Sequence, residues 1–148
     1  MGGDDEEFSR CGEEGYVFLE HTADIGIRAW AATTERAFEQ AALGLAELLD
    51  VRGSGEGRVH PVGLSGSDAE TLLVDFLNEL IVLLETQDAA IAGVHVSSVS
   101  EDALRADLIL VPRDHRSEGM VVKAATYHRL SLERGADGGV EARVYLDV

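Results

Sequence analysis

Apolar residues recur along the chain with two different periods. "YVFL" at 16–19 and "IGIRAWAA" at 25–32 read as strands, the second carrying Ile25, Ile27, Ala29 and Ala31 on one face, because side chains alternate across a strand. Past Thr33 or Thr34, either of which can cap a helix, the spacing changes to three and four. Phe38, Ala41, Ala42, Leu45, Leu48 and Leu49 then form one helical stripe, ended by "RGSGEG". "RVHPVGLSG" reads as a short strand, pushed toward a sheet edge by Pro61, which has no N–H to give. "SDAE" at 67–70 reads as a capping box, with Ser67 and Glu70 each satisfying a free backbone N–H. The helix it opens runs to about Thr86, with an apolar face from Leu72 to Leu84 and Asp75, Asn78, Glu79 and Gln87 toward water.

The remainder reads as β-structure. "GVHVSSV" alternates, and "ALRADLILV" alternates more strongly, with Leu104, Ala106, Leu108 and Leu110 on one face. "MVVKAATYHRLSL" and "GVEARVYLDV" flank the turn-rich "ERGADGG", a hairpin pattern. Alternation places His128 with Val122, Ala124 and Leu130, as a core residue. This order predicts an α+β fold: a two-layer domain in which an antiparallel or mixed sheet carries two main helices on one side.

Composition narrows the classes. A chain of 148 residues with 45% hydrophobic content sustains one domain with a real core. Residues 1–15 are Gly-rich and acidic and read as a disordered tail, leaving 16–148 as the domain. The net charge is −16, and six acids against Arg10 in the tail leave −11 for the rest. Such a domain repels RNA and DNA and suits solubility, a cation or a basic protein partner. No apolar run reaches membrane-spanning length and the N-terminus has no signal-peptide core. Cys11, in the tail, is the only cysteine, so no internal disulfide forms, which fits the cytoplasm.

Candidate chemistry gathers in "EHTADIG", Glu20–Gly26, and in the terminal "YLDV". An Asx turn accounts for Asp24 and a structural hydrogen bond for His21; a cation site accounts for both acids. In "GVEARVYLDV" Asp147 shares a face with Glu141, Arg143 and Tyr145, and the Val148 carboxylate follows it. Hard cations want several oxygen ligands. Asp147, Val148 and a third carboxylate such as Asp24 would supply them if the fold brought them together; the alternative is a solvated chain end. Lys123 stands either in an exposed salt bridge or beside these acids. There is no P-loop, GxGxxG, GxSxG or zinc-spaced histidine pair. The residues themselves reach an acidic α+β domain with a candidate cation site.

Four stretches together carry more. "HTADIGIRAWAATTERAFEQAALGL", "ETLLVDFLNELIVLLET", "VKAATYHRLSLE" and "ARVYLDV" resemble the archease family, in the same order, over about residues 16–148. The resemblance implies a non-catalytic accessory protein of RtcB-type RNA ligases, which join RNA ends in tRNA splicing and RNA repair. It implies that the protein speeds guanylylation of the ligase by GTP with Mn²⁺ and permits multiple turnovers, without itself binding nucleic acid or a membrane. It implies a divalent-cation site at Asp24, Asp147 and Val148, Ca²⁺ first and Mg²⁺ or Mn²⁺ as alternatives. It further implies a functional Lys123, which with Asp24 and Asp147 forms one charged tip; His21 is a further candidate functional residue. A general chaperone or binding module is the alternative, and a metal-dependent hydrolase built on Asp24 and Asp147 the third.

Overall fold

The computed structural model describes residues 13–20, 24–117 and 119–148, with 115–117 by backbone alone. The elements are β1 (Gly15–Glu20), β2 (Asp24–Ala31), α1 (Thr34–Leu49), β3 (Val51–Gly53), β4 (Arg58–Ser65), α2 (Ala69–Thr86), β5 (Ala89–Val99), β6 (Ala103–Ser117), β7 (Ala124–Arg134) and β8 (Val140–Asp147). The class is α+β with two main helices, as the periodicities predict. The strands divide into two antiparallel sheets rather than one. The first has the order β1-β2-β8-β7; in the second, long β6 pairs with β5 and with both β4 and β3. Both helices touch both sheets: α1 packs on β2 and β5, α2 on β7 and β5. One apolar cluster runs from Ile27 and Phe38 through Phe76, Leu77 and Leu80 to Leu108 and Leu146. Non-directional burial of these side chains is the main force joining the layers.

Local chemistry sets the element ends. Thr33 caps α1, its hydroxyl accepting from the Arg36 N–H at 3.1 Å, and Asp50 ends the helix in the left-handed region at φ 47°. The start of α2 lies one residue later than a Ser67 cap requires. Asp68 is the cap, its carboxylate accepting from the Thr71 N–H at 2.7 Å. An ionised acceptor outcompetes the neutral Ser67 hydroxyl at the positive end of the helix. Glu70 then falls one position short of closing the capping box. That bond also holds the Asp68 carboxyl below its ordinary range. The tail boundary moves as well: β1 begins at Gly15, and Glu14 pairs with Arg36 and Gln40 of α1. Residues 1–12, including Cys11, lie outside the described residues.

Two sheet edges are closed by helix side chains. β7 is the edge of its sheet, and Asn78 of α2 takes the place of a neighbouring strand. Its amide oxygen accepts from the Ala125 N–H at 2.7 Å and its NH₂ donates to the Ala125 carbonyl at 3.2 Å. Asn78 therefore does not belong to a wet stripe. At β5, Glu39 and Glu35 of α1 accept from the Val96 and Val99 N–H groups at 2.8 and 3.1 Å. Exposed strand edges invite foreign pairing, and covering them removes that hazard. Pro61 lies in β4, which pairs only with β6 among the described strands, as its missing N–H requires.

β7 departs from simple alternation. Its register with β8 jumps from Thr126↔Tyr145 to Ser131↔Arg143, and Arg129 sits at φ 58°. The extra residues break the two-residue period, so His128 is exposed and not in the core. The hairpin to β8 forms where "ERGADGG" places it. The Gly135 N–H donates to the Gly139 carbonyl at 2.7 Å, and Gly138 takes the positive φ of 87° that the turn demands.

Candidate functional site

β2 and β8 pair over eight residues, from Asp24↔Asp147 to Ala31↔Val140. Their inner faces, Ile27, Ala29 and Ala31 against Val140, Ala142 and Val144, are buried. A slip of one residue would turn those side chains out to water, so burial itself specifies the register. The outer face adds two locks. Arg28 donates to both Glu141 carboxylate oxygens at 2.8 and 2.9 Å, and Arg143 joins the same carboxylate at 3.0 Å. Tyr145 lies over Gly26: a Cβ there would come within 2.7 Å of the ring. The position of Asp24 opposite Asp147 follows from these contacts, which lie deeper in the sheet.

Lys123 reaches the same end from a third direction. Its N–H donates to the Asp147 carbonyl at 2.8 Å, immediately before β7 begins. Three residues 24, 123 and 147 along the chain thus converge at one end of one sheet. Asp24 is half-buried; Lys123 and Asp147 are exposed, and Val148 adjoins Asp147. Among the described residues, the side chains of Asp24, Lys123 and Asp147 make no hydrogen bond or ion pair. Like charges directly opposite each other on paired strands repel, and no side-chain partner among the described residues neutralises either aspartate. His21 lies outside the described residues.

The donor chemistry fits a hard divalent cation. Two carboxylates on adjacent strands, with the Val148 oxygens next along the chain, offer oxygen donors among the described residues. No cluster of three or more His, Cys, Asp or Glu side chains that could hold a metal ion occurs among the described residues. A walled reaction pocket is a different matter. Of two surface clefts, one lies between Thr34, Val99, Leu132 and Arg134, the other between Leu49, Ile81, Leu84 and Met120. Neither of these two is lined by Asp24, Lys123 or Asp147.

Sequence reasoning missed the residues that build the site without belonging to it. Arg28, Glu141, Tyr145 and Gly26 set the register; an arginine on an apolar strand and a mid-strand glycine were the available signals. It also missed Glu39, a carboxylate only 4% exposed. Among the described residues, no helix is long and apolar enough to cross a membrane.

Comparison with known proteins agrees with this architecture. The model of the archease protein family matches residues 16–148. An archease of Methanosarcina mazei is 37% identical over 142 residues, covering 90% of this chain and 95% of its own. An archease of Pyrococcus furiosus is 35% identical over 136 residues, covering 87% and 95%. The solution structure of protein 1598 of Methanobacterium thermoautotrophicum superposes with a TM-score of 0.67 at 27% identity, over 90% of this chain and 99% of that one. The crystal structure of a Thermotoga maritima archease, described as a possible chaperone, shares the fold with a TM-score of 0.62 at 24% identity, over 88% and 94% of the two chains. With its β2–β8 register, its two helices and the matched span of 16–148, the chain belongs to the archease family.

Proposed function

We propose that this protein is a non-catalytic accessory factor of an RtcB-type RNA ligase and promotes guanylylation of the ligase through its charged end. The observation that carries this reading is the Asp24↔Asp147 register with the Lys123 N–H on Asp147. It gathers, from three distant parts of the sequence, the residues that the family resemblance implicates. Two facing carboxylates without a cationic partner form a surface whose repulsion a cation or a basic partner would relieve. Asp24, Asp147 and the Val148 oxygens would hold a divalent cation, Ca²⁺ first, with Mg²⁺ or Mn²⁺ as alternatives. When bound, it would supply positive charge between the strands. Lys123 adds a cation of the protein's own, suited to a phosphate of the ligase's nucleotide. A coupling of about 1–3 kcal/mol between docking and the ligase's competent state would give a substantial rate effect.

Net charge supports the choice of partner. An RNA ligase needs a basic surface for its substrate, and a chain of net charge −16 is drawn to such a surface without competing as an RNA binder. Association is therefore expected to slow as salt rises; an on-rate indifferent to salt would remove the steering argument. The functional test is single-turnover guanylylation of a cognate ligase with labelled GTP and Mn²⁺, with and without this protein. Wild type is expected to accelerate the reaction, and Asp24→Ala, with its fold intact, to fail. An active ligase that responds to neither protein refutes the reading. Suppression of aggregation of unrelated clients would then favour the chaperone alternative.

A further inference from the structure

The segment 119–123 is fixed at several points, yet it exposes apolar side chains beside the charged end. Gly119 lies so close to the end of α1 that a Cβ would come within 2.0 Å of the Leu49 carbonyl oxygen. The Met120 N–H donates to the Leu48 carbonyl at 2.9 Å, Val122 is buried, and the Lys123 N–H is held by Asp147. Between these anchors Val121 is 79% exposed and Met120 38% exposed. A cleft of about 260 Å³ lies between this segment and the Ile81–Glu85 turn of α2. Asp75, Asn78 and Val82 share one stripe of α2, and the first two bond Tyr127 and Ala125 of β7. The next position on that stripe, Val82, therefore falls near the segment that precedes β7, and it is 53% exposed. Scattered exposed apolar residues are ordinary. Met120 and Val121, on a fixed backbone and lining a cleft beside Lys123, mark an interaction surface.

We infer that this cleft seats an apolar side chain, flanked by basic groups, of the same ligase that receives the charged end. The inference rests on the accessory reading above and adds a second, energetic contact to it. Charge selects the occupant. Two copies of a chain of net charge −16 repel each other, and so does RNA. Among the described residues, Glu85 and Arg113 are the charged groups on the cleft wall, and Asp147 lies just beyond Lys123. A basic protein face with a protruding apolar residue is complementary on both counts. Apolar anchors in such pockets carry most of the affinity of an interface, while charges at its rim set the approach. The cleft and the charged end would therefore divide the work: the cleft holds, and Asp24, Asp147 and Lys123 act.

The test uses the full chain and the intact ligase. Guanylylation is measured against increasing concentrations of wild type, Val121→Ser, Met120→Ser and Asp24→Ala, and direct binding of labelled ligase is measured in parallel. Val121→Ser is expected to raise both the half-maximal concentration and the Kd by about tenfold, with the same maximal stimulation. Asp24→Ala is expected to lower the maximum instead. Because Val121 is so exposed, its truncation leaves folding intact, and matching melting curves verify this. If Val121→Ser and Met120→Ser keep the wild-type half-maximal concentration and Kd, the docking surface is refuted while the accessory reading stands. If wild type neither binds nor stimulates the ligase, both fall. A wild-type dimer in sedimentation equilibrium that Val121→Ser dissolves would assign the cleft to a second copy and overturn the inference.

Discussion

Carboxylates do opposite jobs at two places in this molecule. At the seam between α1 and β5, Glu39 is buried and saturated: it accepts from the Val96 N–H and pairs with Arg36 at 3.0 Å. At the end of β2 and β8, Asp24 and Asp147 face each other with no ion pair or side-chain hydrogen bond among the described residues. The first arrangement closes a sheet edge and stabilises the fold. The second adds no side-chain bond among the described residues, and the register that holds it is set by the Arg28–Glu141 pair and the buried inner face. Groups satisfied by the protein itself have nothing left to offer a partner. Groups held in place but left unsatisfied do, and sites are built from them.

The largest effect that separates the two regions is on the seam. Glu39→Ala leaves the Val96 N–H without its acceptor at a buried position, which costs about 1–3 kcal/mol, read as a lower urea midpoint with unchanged slope. An unchanged midpoint would mean that β5 does not depend on α1. Asn78→Ala should cost about 1–2 kcal/mol by stripping the Ala125 edge in the same way. Asp147→Asn is expected to do the reverse in chelator-treated protein. Relief of cross-strand repulsion should stabilise it by a few tenths, up to about 1 kcal/mol, and the stabilisation that Ca²⁺ confers on wild type should vanish. Destabilisation by Asp147→Asn without a cation would show that these acids are structural after all.

A smaller effect lies at high pH. The Tyr16 hydroxyl donates to Glu47 at 2.5 Å, and that bond, then burial and the Glu47 charge, push the phenol up to about 12 from its ordinary 10.0. A group raised on folding stabilises fully below its unfolded pKa and loses that contribution as pH rises to the folded value. Stability should therefore fall between pH 10 and about 12, and Tyr16→Phe should flatten that part of the profile. An unaltered slope would place the transition elsewhere.

Much of the fold was legible because burial writes periodicity into sequence. The stripe from Phe38 to Leu49, the alternation from Leu104 to Leu110 and the glycine-rich hairpin all formed where the pattern put them. The failures were local competitions that patterning does not encode. Asp68 displaced Ser67 as a cap, a bulge turned His128 outward, and Asn78 left the wet stripe to bond Ala125. The site was half legible. Asp24 and Asp147 stood out as acids at strand ends, but their proximity depends on which strands pair. A sequence of 148 residues does not state that β8 lies between β2 and β7.

The most direct test of the account is a paired measurement on Asp24→Ala and Glu39→Ala, recording melting temperature and single-turnover stimulation of ligase guanylylation. The account predicts that Asp24→Ala melts, in chelator-treated protein, at or slightly above wild type and does not stimulate, while Glu39→Ala melts lower and still stimulates at a temperature where it is folded. Full stimulation by Asp24→Ala would contradict it.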